Sequence, residues 1–141
     1  MVAIFAAIDT NVLVSAMLKK DSIPRKVVDR VLDGTVTAII NDEILAEYLE
    51  VLSRPKFHFP AETVRLVIEG FIRRGIKFQG IPVPEEDGEL PDAGDVVFYA
   101  VTLDARQSED AYLVTGNGRH FPVKPFVVTP AQMLEIIERK S

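Results

Sequence analysis

A run of seven apolar residues ends abruptly in three polar ones in the segment Val2-Ala3-Ile4-Phe5-Ala6-Ala7-Ile8-Asp9-Thr10-Asn11. A short apolar run bounded by polar residues is typical of a strand that is buried on both faces, as the strands of a parallel sheet are. Ligands of open parallel sheets bind beyond the carboxyl ends of the strands. We therefore expect a buried first strand over residues 2–8, and Asp9, Thr10 and Asn11 become the first candidates for a functional site.

Outward from this segment, apolar runs rich in β-branched residues alternate with helical patterns. Strands are predicted over residues 2–8, 36–40, 76–78, 111–115 and 125–128. Helices are predicted over residues 11–18, 24–32, 42–53, 60–74, 95–103 and from Thr129-Pro130 onward. This alternation indicates βαβ crossovers and a mostly parallel sheet. The prediction is an α/β fold: a single domain over residues 1–141, built as a three-layer αβα sandwich with five strands in the order 3-2-1-4-5.

The composition limits the class of protein. A chain of 141 residues, 48% of them hydrophobic, can bury the core of one domain. No apolar run reaches the roughly 18 residues of a membrane span, and residues 1–8 lack the basic region and cleavage site of a signal peptide. The absence of cysteine excludes disulfides and thiolate metal sites. Together these features favour a cytoplasmic protein that does not enter a membrane.

The net charge of −5 argues against binding to nucleic acid, because nucleic-acid binders are usually basic. The acidity is concentrated, however, in the stretch from Pro84 to Asp95, which contains six acidic and no basic side chains. Without these six, 15 acidic side chains stand against 16 lysines and arginines. A nucleic-acid-binding face built from basic pairs such as Lys19-Lys20 and Arg73-Arg74 is therefore still possible, although such pairs are usually solvated helix ends.

Two polar segments are predicted to face each other at one edge of the sheet. Asp9 follows the first strand and Asn117 follows the fourth, and these strands are neighbours in the order 3-2-1-4-5. Thr115, two residues before Asn117, can hydrogen-bond an acid or a ligand. The ordinary interpretations stay open: Asp9 can cap the next helix, and Asn117, between two glycines, can form a tight turn.

Three further acids lie on or beside predicted helices. Glu47 lies just outside the apolar face of its helix, so it is the acid of that helix held nearest the core. Asp92 and Asp95 stand at the start of a later helix, where an aspartate is also an ordinary cap. Oxygen ligands of this kind suit Mg²⁺ or Mn²⁺, and the two isolated histidines, His58 and His120, form no zinc motif.

Four segments, in this order, resemble the motifs of PIN domains, and in particular those of the VapC-type toxins of bacterial and archaeal toxin–antitoxin pairs. The segments are Ala7-Ile8-Asp9-Thr10-Asn11-Val12-Leu13-Val14-Ser15-Ala16, Ile44-Leu45-Ala46-Glu47-Tyr48-Leu49-Glu50-Val51-Leu52, Asp92-Ala93-Gly94-Asp95-Val96-Val97-Phe98-Tyr99 and Ala111-Tyr112-Leu113-Val114-Thr115-Gly116-Asn117. Each segment is short, but together they span nearly the whole chain, and the ordered set is specific.

This resemblance implies a metal-dependent endoribonuclease that hydrolyses RNA phosphodiester bonds with Mg²⁺ or Mn²⁺. By motif position, it implies catalytic and metal-binding roles for Asp9, Glu47, Asp95 and Asn117. The side chains expected to orient these ligands are Thr10, Asn11, Asp92 and Thr115. The family's fourth position is often aspartate, so asparagine at 117 removes one charge. The resemblance also implies a cognate antitoxin protein and a homodimer as partners.

Two other functions are compatible with parts of this pattern. A phosphatase of the haloacid-dehalogenase type uses an aspartate after the first strand as its nucleophile. It requires a second aspartate two residues later, where this chain has Asn11. The other possibility is a degenerate, non-catalytic PIN-like module that binds RNA or protein, which Asn117 keeps open. Binding that survives a chelator distinguishes this module from a nuclease.

Overall fold

The structure is a computed structural model, and it describes residues 3–140. The described chain forms five strands: β1 (Ile4–Ile8), β2 (Val36–Ile40), β3 (Ile76–Lys77), β4 (Ala111–Val114) and β5 (Val127–Val128). It forms six α-helices: α1 (Thr10–Leu18), α2 (Ile23–Leu32), α3 (Asp42–Leu52), α4 (Ala61–Arg74), α5 (Ala93–Arg106) and α6 (Pro130–Lys140). The predicted first strand begins at Val2, and the predicted domain includes Met1 and Ser141; these three residues lie outside the described range.

All five strands are parallel and lie in the order β3-β2-β1-β4-β5, which confirms the predicted topology. The chain order reverses between β1 and β4, which are direct neighbours. Ile8 pairs with Val114, so these two strands end at the same level. Asp9 and Thr115 therefore leave the sheet side by side, at the switch point where open α/β sheets bind ligands.

Helices cover both faces of the sheet. α2 packs against α1, α4 and α6, and α5 packs against β1, β2 and β4. The connections from β1 to β2 and from β3 to β4 cross the sheet in opposite directions, and right-handed crossovers then place their helices on opposite faces. The molecule is therefore the three-layer sandwich that the sequence predicts.

β1 runs through the centre of the core, and all five of its residues are buried. Burial on both faces explains why its sequence is a continuous apolar run rather than an alternating one. The largest fully buried side chains come from the helices that cover the sheet: Tyr48, Phe71, Phe98 and Tyr99. No helix within residues 3–140 is both long and apolar enough to cross a membrane.

The start of α5 differs from the prediction. The helix begins at Ala93 rather than Asp95 and ends at Arg106 rather than Leu103. Asp92 is its N-cap and accepts a hydrogen bond from the backbone N–H of Asp95 at 3.0 Å. A capping side chain satisfies one of the free N–H groups of the first turn. Because Asp92 takes this role, the Asp95 carboxylate is left for another use.

Tyr48 ties α3 to the end of β1. Its side chain is fully buried, and its hydroxyl donates a hydrogen bond to the main-chain carbonyl of Ile8. Its ring also contacts Phe71 on α4 and Phe98 on α5. Since Asp9 directly follows Ile8, this buried bond fixes the position of that acid relative to α3.

We expect Tyr48→Phe to lower the free energy of unfolding by about 1–3 kcal/mol, because it leaves the buried Ile8 carbonyl without this donor. Urea unfolding followed by circular dichroism measures the change. Tyr112→Phe is the matched control: its hydroxyl bonds Asp110 at the surface, so the same deletion should cost less than about 0.5 kcal/mol. Equal effects of the two substitutions would contradict this role of Tyr48.

Candidate active site

A cleft of about 390 Å³ lies at the carboxyl ends of β1 and β4. Seven of the eight side chains predicted for the site line it: Asp9, Thr10, Asn11, Glu47, Asp92, Asp95 and Asn117. The eighth, Thr115, is buried and contacts Asp9. These residues come from four separate parts of the chain, so the fold brings together what the sequence keeps apart.

Asp9 stands at the N-terminus of α1, but its side chain makes no capping hydrogen bond. Its Oδ2 instead accepts bonds from the Thr115 hydroxyl at 2.8 Å and from the Asn11 amide at 3.1 Å. The capping interpretation is therefore wrong for this residue. Burial is the main cause that raises the pKa of Asp9 to about 6; the Thr115 bond opposes it, and the charges of Asp95 and Glu47 add to it.

Glu47 lies half-buried on α3, and its carboxylate accepts a hydrogen bond from the Thr10 hydroxyl. Gly94, in the first turn of α5, permits a close approach to this carboxylate. A Cβ at position 94 would lie 2.6 Å from Glu47 Oε1 and 3.2 Å from Asp92 Oδ1. The absence of a side chain at Gly94 thus leaves room for the Glu47 carboxylate beside the first turn of α5, and Asp95 and Glu47 line the same cleft.

Asp95 is only 7% exposed, and its Oδ2 has no hydrogen-bond partner within the described residues. Burial raises the pKa of Asp95, and the neighbouring charge of Asp92 raises it too. His120 lies close by, with its Nδ1 3.4 Å from Asp95 Oδ2, and its charge acts in the opposite direction. A buried carboxylate oxygen without a partner is costly unless a cation or a donor satisfies it.

His120 also lines the cleft, although no sequence pattern predicts it as a site residue. It ends the short 3₁₀ segment Gly118–His120, and its N–H donates to the Asn117 carbonyl at 2.9 Å. An isolated histidine carries no spacing signal, and the apolar periodicity of helices and strands says nothing about a short 3₁₀ turn. The sequence feature that could have predicted His120 is its position in the loop after β4, three residues beyond Asn117.

Asn117 is exposed at the rim of the cleft, and its N–H donates to the Thr115 hydroxyl oxygen at 3.0 Å. Its φ of −120° lies outside the left-handed region, so a tight turn with positive φ does not explain asparagine here. The neighbouring Gly116 N–H donates to Asn11 Oδ1 at 3.0 Å. Because the other end of its amide bonds Asp9, Asn11 links the loop after β4 to that acid.

The described residues contain no ready-made group of three or more His, Asp or Glu side chains that could hold a metal ion. Other observations nevertheless fit a cation. Acidic side chains from three elements line the cleft and repel one another, and one buried carboxylate oxygen lacks a partner. Carboxylate and amide oxygens are the ligands that hard divalent ions prefer. The donor set of the cleft therefore suits such an ion.

The raised pKa of Asp9 predicts that its carboxylate destabilises the metal-free fold near neutral pH. The folded protein holds the Asp9 proton more tightly than the unfolded chain does, so stability falls as the pH rises from about 4 through 6. Asp9→Asn should therefore raise the free energy of unfolding at pH 7.5 by about 1–3 kcal/mol. This gain in the free energy of unfolding should become smaller towards pH 4, where Asp9 of the folded wild-type protein is protonated and uncharged. Urea unfolding in EDTA at both pH values measures it.

Asp87→Asn is the matched control, for which we expect a change in the free energy of unfolding of the opposite sign. The Tyr99 hydroxyl and the Lys124 ammonium bond Asp87 and hold the pKa of its carboxyl below the usual value. Removing this charge should therefore destabilise the protein at pH 7.5. If Asp9→Asn also lost stability there, the destabilising effect assigned to the Asp9 carboxylate would be wrong.

The sequence model of the PIN domain family matches residues 6–119, which is most of the chain. The matched range contains every predicted site residue and ends one residue before His120. No curated protein and no solved structure matches the chain. PIN domains are generally nucleases, and these nucleases generally use divalent metals. The chain therefore belongs to the PIN domain family, as its motifs predict.

Proposed function

We propose that this protein is a metal-dependent endoribonuclease that hydrolyses the phosphodiester bonds of RNA. The observation that carries the proposal is the convergence of three acids on one cleft: Asp9 after β1, Glu47 on α3 and Asp95 on α5. Membership of a family of nucleases supports phosphodiester hydrolysis. Carboxylates that repel each other without a cation are a suitable basis for a site that depends on Mg²⁺ or Mn²⁺.

The residues that would hold the ion through their oxygen atoms are Asp9, Glu47, Asp95 and Asn117. When bound, such an ion acidifies water for attack on phosphorus and offsets the charge that builds on the phosphate oxygens. Hydrogen bonds orient these ligands, and the side chains that make them are Thr10, Asn11, Asp92 and Thr115. Loss of such supporting bonds typically costs roughly 10–100-fold in metal affinity.

RNA as the substrate is supported by the resemblance to VapC-type toxins and by the surroundings of the cleft. The cleft opens to the surface, so an extended chain can enter it. Arg119 is exposed in the 3₁₀ segment between Asn117 and His120, both of which line the cleft. A cation at this rim can hold a phosphate of the RNA backbone.

The same resemblance extends the proposal to a biological role. We infer that the protein is the toxin of a toxin–antitoxin pair, that it acts in the cytoplasm as a homodimer, and that a cognate antitoxin protein holds it inactive. A gene for a small protein beside the gene of this chain would support this role. Copurification of the two proteins, with loss of ribonuclease activity in the complex, tests it.

A second candidate function is a non-catalytic module that binds RNA or a protein. It is favoured by Asn117, which provides an amide where the resemblance leads one to expect a carboxylate. It is also favoured by the lack of a ready-made three-residue metal group in residues 3–140. This module would bind its partner equally well with and without a chelator, whereas the nuclease requires the ion.

Cleavage of a panel of single-stranded RNAs with Mn²⁺ tests the nuclease proposal. We expect the wild-type protein to cut, EDTA to abolish cutting, and Glu47→Gln to slow it roughly 100-fold or more, because a charged ligand is lost. Glu50→Gln is the matched control, since Glu50 lies on the same helix and pairs with Arg54 at the surface. This variant should keep the full rate.

Two other results of the same experiment would change the conclusion. Cleavage that survives both EDTA and Glu47→Gln would contradict the metal site. RNA binding without cleavage, together with no Mn²⁺ binding by calorimetry, would establish the non-catalytic module instead.

We expect Asn117→Asp to raise the affinity for Mn²⁺ by about tenfold, because it adds a carboxylate to the three acids proposed as ligands. Isothermal titration calorimetry measures the dissociation constant. Asn41→Asp is the matched control, because Asn41 caps α3 and does not line the cleft. An unchanged Mn²⁺ affinity in Asn117→Asp would show that the side chain at position 117 is not a ligand.

A further inference from the structure

The contact between His120 and Asp95 is not an ordinary ion pair. Their closest atoms, Nδ1 and Oδ2, are 3.4 Å apart, whereas a charge-assisted hydrogen bond between such groups is typically about 2.7–2.9 Å long. Asp95 Oδ2 has no hydrogen-bond partner within residues 3–140, although Asp95 is more than nine-tenths buried. The two atoms therefore lie side by side without bonding each other.

Their spacing is close to that of two neighbouring ligands of one metal ion. Ligands about 2.1 Å from an octahedral ion, at right angles to each other, are about 3.0 Å apart. A nitrogen and an oxygen 3.4 Å apart are within a few tenths of an ångström of this value. Both residues line the cleft that also contains Asp9 and Asn117, so an ion between them would lie in the same cleft as these candidate ligands.

The main chain holds both residues in place. The His120 N–H donates to the Asn117 carbonyl at 2.9 Å, and the Asp95 N–H donates to Asp92 Oδ1 at 3.0 Å. The His120 side chain is 37% exposed, which leaves its imidazole accessible from the cleft. These bonds fix the main chain at both positions, and an accessible imidazole beside an unpartnered carboxylate oxygen offers a suitable pair of ligands.

We propose that His120 is a direct ligand of the divalent ion in this cleft, so that the site combines imidazole with carboxylates. This inference rests on the proposed function, and it also identifies the preferred ion. Mg²⁺ is a hard ion that favours sites made of oxygen alone, whereas Mn²⁺, although the weakest binder of the first-row transition metals, accepts an imidazole nitrogen more readily. The cleft should therefore prefer Mn²⁺ to Mg²⁺.

Pulsed electron paramagnetic resonance of Mn²⁺ bound to the whole protein tests the ligand directly. The sequence contains only two histidines, so His58→Gln is the matched control for His120→Gln. We expect a coupling from a ligating ¹⁴N nucleus in the wild-type protein and in His58→Gln, and its loss in His120→Gln. By calorimetry, His120→Gln should weaken Mn²⁺ binding about tenfold or more and Mg²⁺ binding by less.

The outcomes separate this inference from the proposed function. If the wild-type protein binds Mn²⁺ without nitrogen coupling, or if the coupling persists in His120→Gln, His120 is not a ligand and the nuclease proposal stands. If the wild-type protein binds no Mn²⁺, the metal-dependent nuclease fails together with its ligand. The wild-type spectrum alone decides the first case, so the test does not depend on the folding of a variant.

Discussion

The hydrogen bond from the Asp9 N–H to the Val114 carbonyl, 2.9 Å long, continues the pairing of β1 with β4 one residue beyond β1. Thr115 is held in the same way, because its N–H donates to the Val128 carbonyl at 2.9 Å. These main-chain bonds prevent either residue from shifting along the sheet, so the Thr115 hydroxyl meets the Asp9 carboxylate. The other candidate site residues lie around Asp9, so their arrangement depends on the fixed position of this acid.

The acidic stretch over residues 84–95 is only partly a solvated surface. Asp87 pairs with Lys124 at 3.0 Å, Asp92 caps α5, and Asp95 is buried at the cleft. Three of its six acids thus have structural positions or belong to the site. The net charge of −5 is therefore a poor guide to the charge of any one face, because some of the acids are buried or have structural roles.

The sheet order and the placement of Asp9 and Asn117 could be predicted, because apolar runs mark the strands and polar residues mark their ends. Glu47 could be predicted because helical spacing places it at the boundary of an apolar face. The local sequence pattern could not divide the roles of Asp92 and Asp95, which only the motif positions of the family resemblance distinguish. Both stand at the start of α5, and which of them caps depends on where the helix begins, a detail that periodicity fixes only to within a few residues.

Asparagine at position 117 has a physical advantage as well as a cost. Burial raises the pKa of Asp9, and the charges of Asp95 and Glu47 raise it further, so the acids of the cleft repel one another. A carboxylate at position 117 would add to this repulsion. An amide still offers an oxygen to a cation without adding charge. In the proposed metal site, Asn117 would therefore favour the stability of the metal-free protein over metal affinity, a trade between stability and activity that is common in proteins.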